Sequence, residues 1–68
     1  MIKVSINNTI EQFEVDTKLS QAMHILGYSD DQMLGVAINQ LFIPKDNWES
    51  TVLNDADKID ILNPVSGG

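Results

Sequence analysis

The residues best suited to do chemistry are Gly67 and Gly68, which close the sequence after an apolar stretch and a proline. Glycine has no Cβ, so two in succession leave a thin backbone that can enter a slot too narrow for other residues. The last group of that backbone is a carboxylate, which an enzyme can approach from every side. We therefore expect Gly68 to react and Gly67, Ser66 and Val65 to be bound by a partner. The alternative is a frayed end with no role, as termini often are.

The other candidates for chemistry are a single histidine and two aspartate pairs. His24 falls in the last turn of a predicted helix, where a protonated ring interacts favourably with the helix dipole, and no ligand partner lies near it in sequence. Asp30 and Asp31 are more typical of a solvated turn. Asp55 and Asp57 resemble a calcium loop in spacing, but the required Gly and downstream Glu are missing. We expect no metal site and no nucleophile with its base, so the chain is not predicted to be an enzyme.

Length and composition limit the classes of function. A chain of 68 residues forms one domain with a small core, and a ligand pocket of about 300 to 1,000 Å³ would hollow out much of it. The absence of cysteine excludes disulfides and thiolate chemistry and is typical of an intracellular protein. A formal charge of −6 opposes binding to nucleic acid and favours a basic protein surface as partner. With no signal peptide and no apolar run of about 18 residues, we expect a cytoplasmic protein that does not bind a membrane.

The first part of the chain predicts a β-hairpin. Residues 1–6 alternate between apolar and polar, which is the period of a half-buried strand. The pair Asn7–Asn8 tolerates the positive φ of a tight turn. A second strand is expected over residues 9–15, with Phe13 and Val15 on its core face.

A helix is predicted next. Asp16 or Thr17 can cap its N-terminus, and Gly27 is the usual residue after a helix C-terminus. The residues of its buried face recur at the i, i+3, i+4, i+7 spacing and are Leu19, Ala22, Met23 and Leu26.

The second half predicts three more strands. An apolar run over residues 34–38 is followed by a turn at Asn39–Gln40 and a short strand over 41–43, in which Phe42 faces opposite to its neighbours. We expect one of the two faces of that short strand to be exposed. Trp48 follows Pro44, and we expect it to cover the core from a turn or a single helical turn.

The last strand is expected over residues 58–62, with Ile59 and Ile61 on one face and Asp60 and Leu62 on the other. The order strand, strand, helix, strand, strand, strand predicts an α+β fold, a mixed sheet of about five strands packed on one helix. A right-handed crossover would set the third strand, or rather the last one, parallel to the first, which is the β-grasp arrangement. We assign residues 1–64 to this domain and residues 65–68 to a flexible tail.

A set of residues in the C-terminal half carries a family resemblance. The set is Ala37, Ile38, Asn39, Gln40, Ile43, Pro44, Lys45, Trp48, Asp55, Asp57, Gly67 and Gly68. Together they resemble the ThiS family of sulfur carriers in thiamine biosynthesis, which have a ubiquitin-like β-grasp fold. The match covers roughly half of the chain without a gap and agrees with the remainder in length and element order.

The resemblance implies a specific chemistry for the last residue. The Gly68 carboxylate would be adenylated with ATP by an E1-like activating enzyme and converted to a thiocarboxylate. Sulfur would come from a donor such as a cysteine desulfurase and pass to thiazole synthase, while the chain itself binds no cofactor. Phe42, Leu62 and Val65 are our candidates for the contact with a partner, with a core position as the alternative for Phe42.

Two departures from the family pattern keep other functions open. Ala56 stands where the family usually has Gly, and a positive φ there would strain alanine. The tail from Pro64 to Gly68 is closer to the small subunit of molybdopterin synthase, a related thiocarboxylate carrier. The remaining alternatives are a ubiquitin-like modifier joined through Gly68 to lysines of target proteins, and an interaction module whose glycine pair is incidental.

Overall fold

The computed structural model describes residues 1–28 and 34–62, and the elements within them follow the predicted order. The strands are β1 (Ile2–Ile6), β2 (Thr9–Phe13), β3 (Gly35–Ile38), β4 (Leu41–Phe42) and β5 (Lys58–Leu62). The helix α1 spans Leu19–Ile25, and a 3-10 helix spans Lys45–Ser50. The expectations for Asp30 and Asp31, for a domain boundary at residue 64 and for a tail over residues 65–68 lie outside the described residues.

The five strands form one mixed sheet in the order β2-β1-β5-β3-β4. β1 pairs in parallel with β5, whereas the pairs β1–β2, β3–β4 and β3–β5 are antiparallel. The predicted parallel pairing of the first and last strands is therefore confirmed, and with it the β-grasp arrangement. Because β5 is the central strand, its last residue, Leu62, lies near the middle of the sheet rather than at an edge.

Both hairpins turn on two successive residues with positive φ. Asn7 and Asn8 have φ of 48° and 72°, and Asn39 and Gln40 have φ of 52° and 71°. Such a pair marks a type I′ turn, whose twist matches that of the flanking strands. Asparagine enters this region at lower cost than most residues, because its short polar side chain can hydrogen-bond locally. Both predicted turns are confirmed.

The core lies on one side of the sheet, under α1 and the 3-10 helix. Its members are Ile2, Val4, Ile6, Phe13, Leu19, Ala22, Met23, Val36, Ile38, Trp48, Leu53, Ile59 and Ile61. Ile59, on the central strand, is 0% exposed. Trp48 is buried in the 3-10 helix, and its Nε1–H donates to the carbonyl of Ile43 at 3.0 Å, so the one polar atom of the ring has a partner. The predicted cover of the core by Trp48 is confirmed.

The prediction that Val15 faces the core is wrong. β2 ends at Phe13, and a turn follows in which the Thr17 N–H donates to the Glu14 carbonyl at 3.2 Å while Asp16 has a φ of 70°. The alternation of a strand stops where a turn begins. Phe13 is therefore buried, whereas Val15 is 64% exposed.

The N-terminal cap of α1 also differs from the prediction of Asp16 or Thr17. The N-cap residue is Lys18, and its backbone N–H donates to Oε1 of Gln21 at 2.9 Å. A cap residue needs an extended backbone, which Asp16 lacks because of its positive φ. The Thr17 hydroxyl donates to a carbonyl of the preceding turn at 2.7 Å and is therefore already used.

The C-terminus of α1 is as predicted. Gly27 follows the last turn with a φ of 94°, and its N–H donates to the carbonyl of His24 at 3.0 Å.

Within residues 1–28 and 34–62, no helix is long and apolar enough to cross a membrane.

Ala56 is strained, since it has a φ of 70° in the turn between Asn54 and Asp57. We expect Ala56→Gly to raise the free energy of unfolding by about 0.5–1 kcal/mol. The relief of left-handed strain, about 1–2 kcal/mol, exceeds the entropy that glycine adds to the unfolded chain, about 0.4–1 kcal/mol. Urea denaturation measures the change. As a control, Ala37→Gly in β3 should lower the same free energy, and a fall for both variants would contradict strain at Ala56.

Candidate partner-binding face

The side of the sheet opposite the core carries a shallow apolar patch formed by Gly35, Ala37, Phe42 and Leu62. Leu62 follows the buried Ile61 on β5 and therefore faces away from the core. The strand register places Gly35 opposite Leu62 and Ala37 opposite Phe42. A Cβ added to Gly35 would meet the Leu62 Cβ at 4.0 Å, so these two residues adjoin. The two small residues thus lie between the two large ones. The Asp60 carboxylate, opposite Ala37 on β5, borders the patch.

Both large members of the patch are accessible. Phe42 is 64% exposed and Leu62 is 69% exposed, so the alternative of a core position for Phe42 is wrong. Leu41, on the opposite face of β4, is also 67% exposed, although we expected only one face of this strand to be open. The reason is that β4 is a two-residue strand at the edge of the sheet.

The end of β5 is held by a side chain from the first hairpin. The Ile61 N–H donates to Oδ1 of Asn7 at 2.8 Å, and Nδ2 of Asn7 donates to the Ile61 carbonyl at 3.2 Å. The Asn7 backbone N–H donates to the Ile59 carbonyl at 2.9 Å. The sequence pattern predicted only the turn at Asn7. Its second role joins residues 54 positions apart, and nothing local in the sequence signals it.

The start of β5 is held by the second hairpin. The Lys58 N–H donates to Oδ1 of Asn39 at 3.0 Å, and Nδ2 of Asn39 donates to Oδ1 of Asp57 at 3.0 Å. The other carboxylate oxygen of Asp57 accepts the Asn54 N–H at 2.8 Å. Asp57 is buried, so these two bonds compensate its loss of water. The first residue of each type I′ turn thus holds one end of the central strand.

The other residues considered for chemistry, Asp55 and His24, lie outside the apolar patch. Asp55 accepts the backbone N–H of Lys3 at 2.8 Å and so joins the last turn to β1. His24 is exposed in the last turn of α1, as expected. Among the residues that the structure describes, no three His, Cys, Asp or Glu side chains are grouped to hold a metal ion.

Val65, Ser66, Gly67 and Gly68 lie outside the described residues, so their roles stay predictions. The described part nevertheless defines a class: a five-stranded mixed sheet on one helix, whose central last strand precedes a Gly-Gly sequence, is a ubiquitin-like β-grasp protein. The chain belongs to the ThiS family, whose model matches residues 3–68. This confirms the family expected from the sequence and places the chain among small sulfur carrier proteins of thiamine biosynthesis.

Two relatives match over nearly the full length. Both are named uncharacterized protein ycf40, one from Porphyra purpurea and one from Pyropia yezoensis. They are 33% and 32% identical to this chain over 69 residues, covering 98% of this chain and 93% of each relative. The similarity therefore includes both halves of the chain and is not restricted to the C-terminal residues on which the resemblance was based.

Two solved structures share the fold, both of a thiamine biosynthesis protein (ThiS) from Geobacter metallireducens. The crystal structure has a TM-score of 0.83 and covers 98% of this chain and 100% of its own. The solution structure has a TM-score of 0.78 and covers 98% and 88%. At 14% sequence identity, this likeness shows the β-grasp fold.

Proposed function

We propose that this protein is a sulfur carrier whose Gly68 carboxylate is adenylated and then converted to a thiocarboxylate for thiazole formation. The observation that carries the proposal is the family match, which runs through Gly67 and Gly68 to residue 68. A carboxylate is a poor acyl donor, because its oxygen is a poor leaving group. Attack of the carboxylate on the α-phosphate of ATP releases pyrophosphate and forms an acyl adenylate. Hydrosulfide then displaces AMP and gives the thiocarboxylate directly. If the donor is a persulfide, displacement of AMP gives an acyl disulfide, and a thiol must reduce it, becoming a disulfide itself, to release the thiocarboxylate.

A partner must supply this chemistry. The chain has no cysteine, and its one histidine, His24, is exposed on the helix. An E1-like adenylating enzyme would bind ATP and Gly68, a donor such as a cysteine desulfurase would provide sulfur, and thiazole synthase would accept it. The need for ATP supports an intracellular location, and we propose the cytoplasmic one expected from the sequence.

We further propose that the apolar patch binds the activating enzyme. Ordering the residues that follow β5 in a partner's active site costs about 1–2 kcal/mol per residue, so a second contact must supply binding energy. Phe42 and Leu62 are exposed apolar side chains on the face where β5 ends. The formal charge of −6 favours a partner whose surrounding surface is basic, which would also speed encounter.

Phe42→Ala is expected to weaken binding of the activating enzyme by at least about tenfold, because a large aromatic side chain in an apolar contact is a typical hot spot. Titration calorimetry of the two proteins measures the dissociation constant. Leu41→Ala is a matched control, since Leu41 is on the same strand and similarly exposed but lies on the opposite face. Equal effects of the two substitutions would contradict docking through the patch.

The proposed function is tested by the mass of the C-terminal peptide after incubation with ATP, the activating enzyme and a sulfur donor. Cleavage after Lys58 releases the peptide Ile59–Gly68, which contains no methionine. This choice matters because oxidation of a methionine adds nearly the same mass as exchange of oxygen for sulfur. A sulfur-for-oxygen gain in this peptide is the expected result. An unmodified peptide, with an enzyme that loads its own established carrier, would overturn the proposal.

One feature favours a second carrier function. The tail sequence Pro64, Val65, Ser66, Gly67, Gly68 is closer to the small subunit of molybdopterin synthase than to thiamine carriers. The thiocarboxylate form can be supplied either to thiazole synthase or to the molybdopterin precursor. The product that forms then distinguishes the two routes. Conjugates to lysines of other proteins, seen as a ladder on a denaturing gel, would instead indicate a protein modifier.

A further inference from the structure

The central strand extends further than its parallel neighbour. β1 ends at Ile6, and the parallel register pairs Ile6 with Ile59, so β5 continues for three residues beyond this pair. On the β3 side these residues remain paired, up to Leu62 opposite Gly35. On the β1 side, the backbone N–H and carbonyl of Ile61 would lack a strand. The Asn7 side chain takes the place of that strand, because its amide accepts from one group and donates to the other.

We infer that Asn7 is a positioning residue for the reacting terminus. By bonding both backbone groups of Ile61, it fixes the last residues of β5 and hence the direction in which the chain continues after Leu62. The inference rests on the proposed function, since it concerns delivery of the Gly68 carboxylate to a partner.

The physical reason is the length of the tether, by which we mean the residues between the end of β5 and the Gly68 carboxylate. The six residues from 63 to 68 span at most about 20 Å when extended, so the anchor point and its direction determine where the carboxylate can reach. If β5 frays at Ile61, the tether grows from six residues to eight. A longer and less directed tether lowers the effective concentration of the carboxylate at a docked active site. Small errors in the position of a reacting group also reduce rates strongly.

Two substitutions in the same turn isolate this role. Asn7→Gly removes the amide that bonds Ile61 but keeps a residue suited to positive φ. Asn8→Gly is the matched control, because Asn8 has a φ of 72° in the same turn and is exposed, while the two bonds to Ile61 come from Asn7. Both variants are assayed as full chains at a temperature at which Trp48 fluorescence shows them to be folded.

The first readout is amide hydrogen exchange in the isolated chain. In Asn7→Gly the Ile61 amide should exchange about tenfold faster relative to the Val4 amide in the neighbouring strand, whereas Asn8→Gly should leave this ratio unchanged. The second readout is thiocarboxylate formation by the activating enzyme. For Asn7→Gly we expect kcat to fall about tenfold with KM within about twofold of wild type, because docking through the patch is retained. A role in stability alone would leave both kcat and KM at their wild-type values, because all chains are assayed at a temperature at which they are folded.

Each outcome decides one question. If wild type and Asn8→Gly are activated and Asn7→Gly has the same kcat, the positioning role is overturned. An unchanged exchange ratio at Ile61 in Asn7→Gly would overturn it as well. If none of the three chains gains sulfur, the proposed function fails and the positioning role fails with it, a pattern that no defect at Asn7 alone can produce.

Discussion

Removal of Gly68 is expected to reduce thiocarboxylate formation by at least about 100-fold while leaving the unfolding temperature unchanged. The truncated chain would present the carboxylate of Gly67, displaced by one residue or about 3.3–3.6 Å. Displacements of about 1 Å in a reacting group already cost on the order of 100-fold in rate. Among the described residues the buried core runs from Ile2 to Ile61, so we expect the fold to persist without residue 68. Peptide mass and circular dichroism measure the two effects.

A chain extended by one extra glycine after Gly68 serves as the matched control. It keeps every native residue but moves the carboxylate outward by the same distance, so it should be equally inactive. Both altered chains should still bind the activating enzyme through the apolar patch. Activation of the truncated chain at the wild-type rate would contradict a reactive role for Gly68 and favour an interaction module with an incidental glycine pair.

Replacement of Ile59 by alanine is expected to lower the free energy of unfolding by about 2–5 kcal/mol. Ile59 is 0% exposed at the centre of the sheet, so truncation removes buried methyl groups and leaves a cavity. At about 0.05–0.15 kcal/mol per residue, a domain of 68 residues has only about 3–10 kcal/mol in total. A substantial unfolded fraction is therefore expected in water. Urea denaturation followed by the fluorescence of Trp48 measures it.

Ile10→Ala is the matched control for this experiment. Ile10 undergoes the same truncation but is exposed on β2 at the edge of the sheet, so its effect should remain within about 0.5 kcal/mol. Similar losses at both positions would show that Ile59 is not at the centre of the core.

The central strand connects the fold to the proposed function. Its inward residues, Ile59 and Ile61, belong to the core, while Leu62 contributes to the apolar patch. Asn39 holds its first residue and Asn7 holds its end. A rigid base with an exposed apolar contact beside it is what a carrier needs in order to present a terminal carboxylate to another protein.

Much of the fold could be predicted from local pattern. The alternation in β1 and β5, the Asn7–Asn8 and Asn39–Gln40 turns and the glycine after α1 depend on backbone preferences of a few neighbouring residues. Such preferences act over short distances along the chain and are therefore visible in the sequence. The order of the elements was enough to predict the parallel pairing of the first and last strands. The residues from Ala37 onward, with the glycine pair, were enough to predict the family.

The tertiary structure decided which surfaces are available. Val15 continues the alternation of β2 in sequence, but the turn after Phe13 directs it to solvent. Phe42 could have been a core residue, and its pairing with Ala37 on the face opposite the core leaves it exposed beside Leu62. The role of Asn7 requires Ile61, 54 positions away, to lie next to the first hairpin. By itself the sequence determined the strands, the turns, the family and the residue proposed to react, because these depend on local chemistry. The binding face and the side-chain hydrogen bonds that fix the last strand depend on residues distant in sequence, so only the assembled sheet could define them.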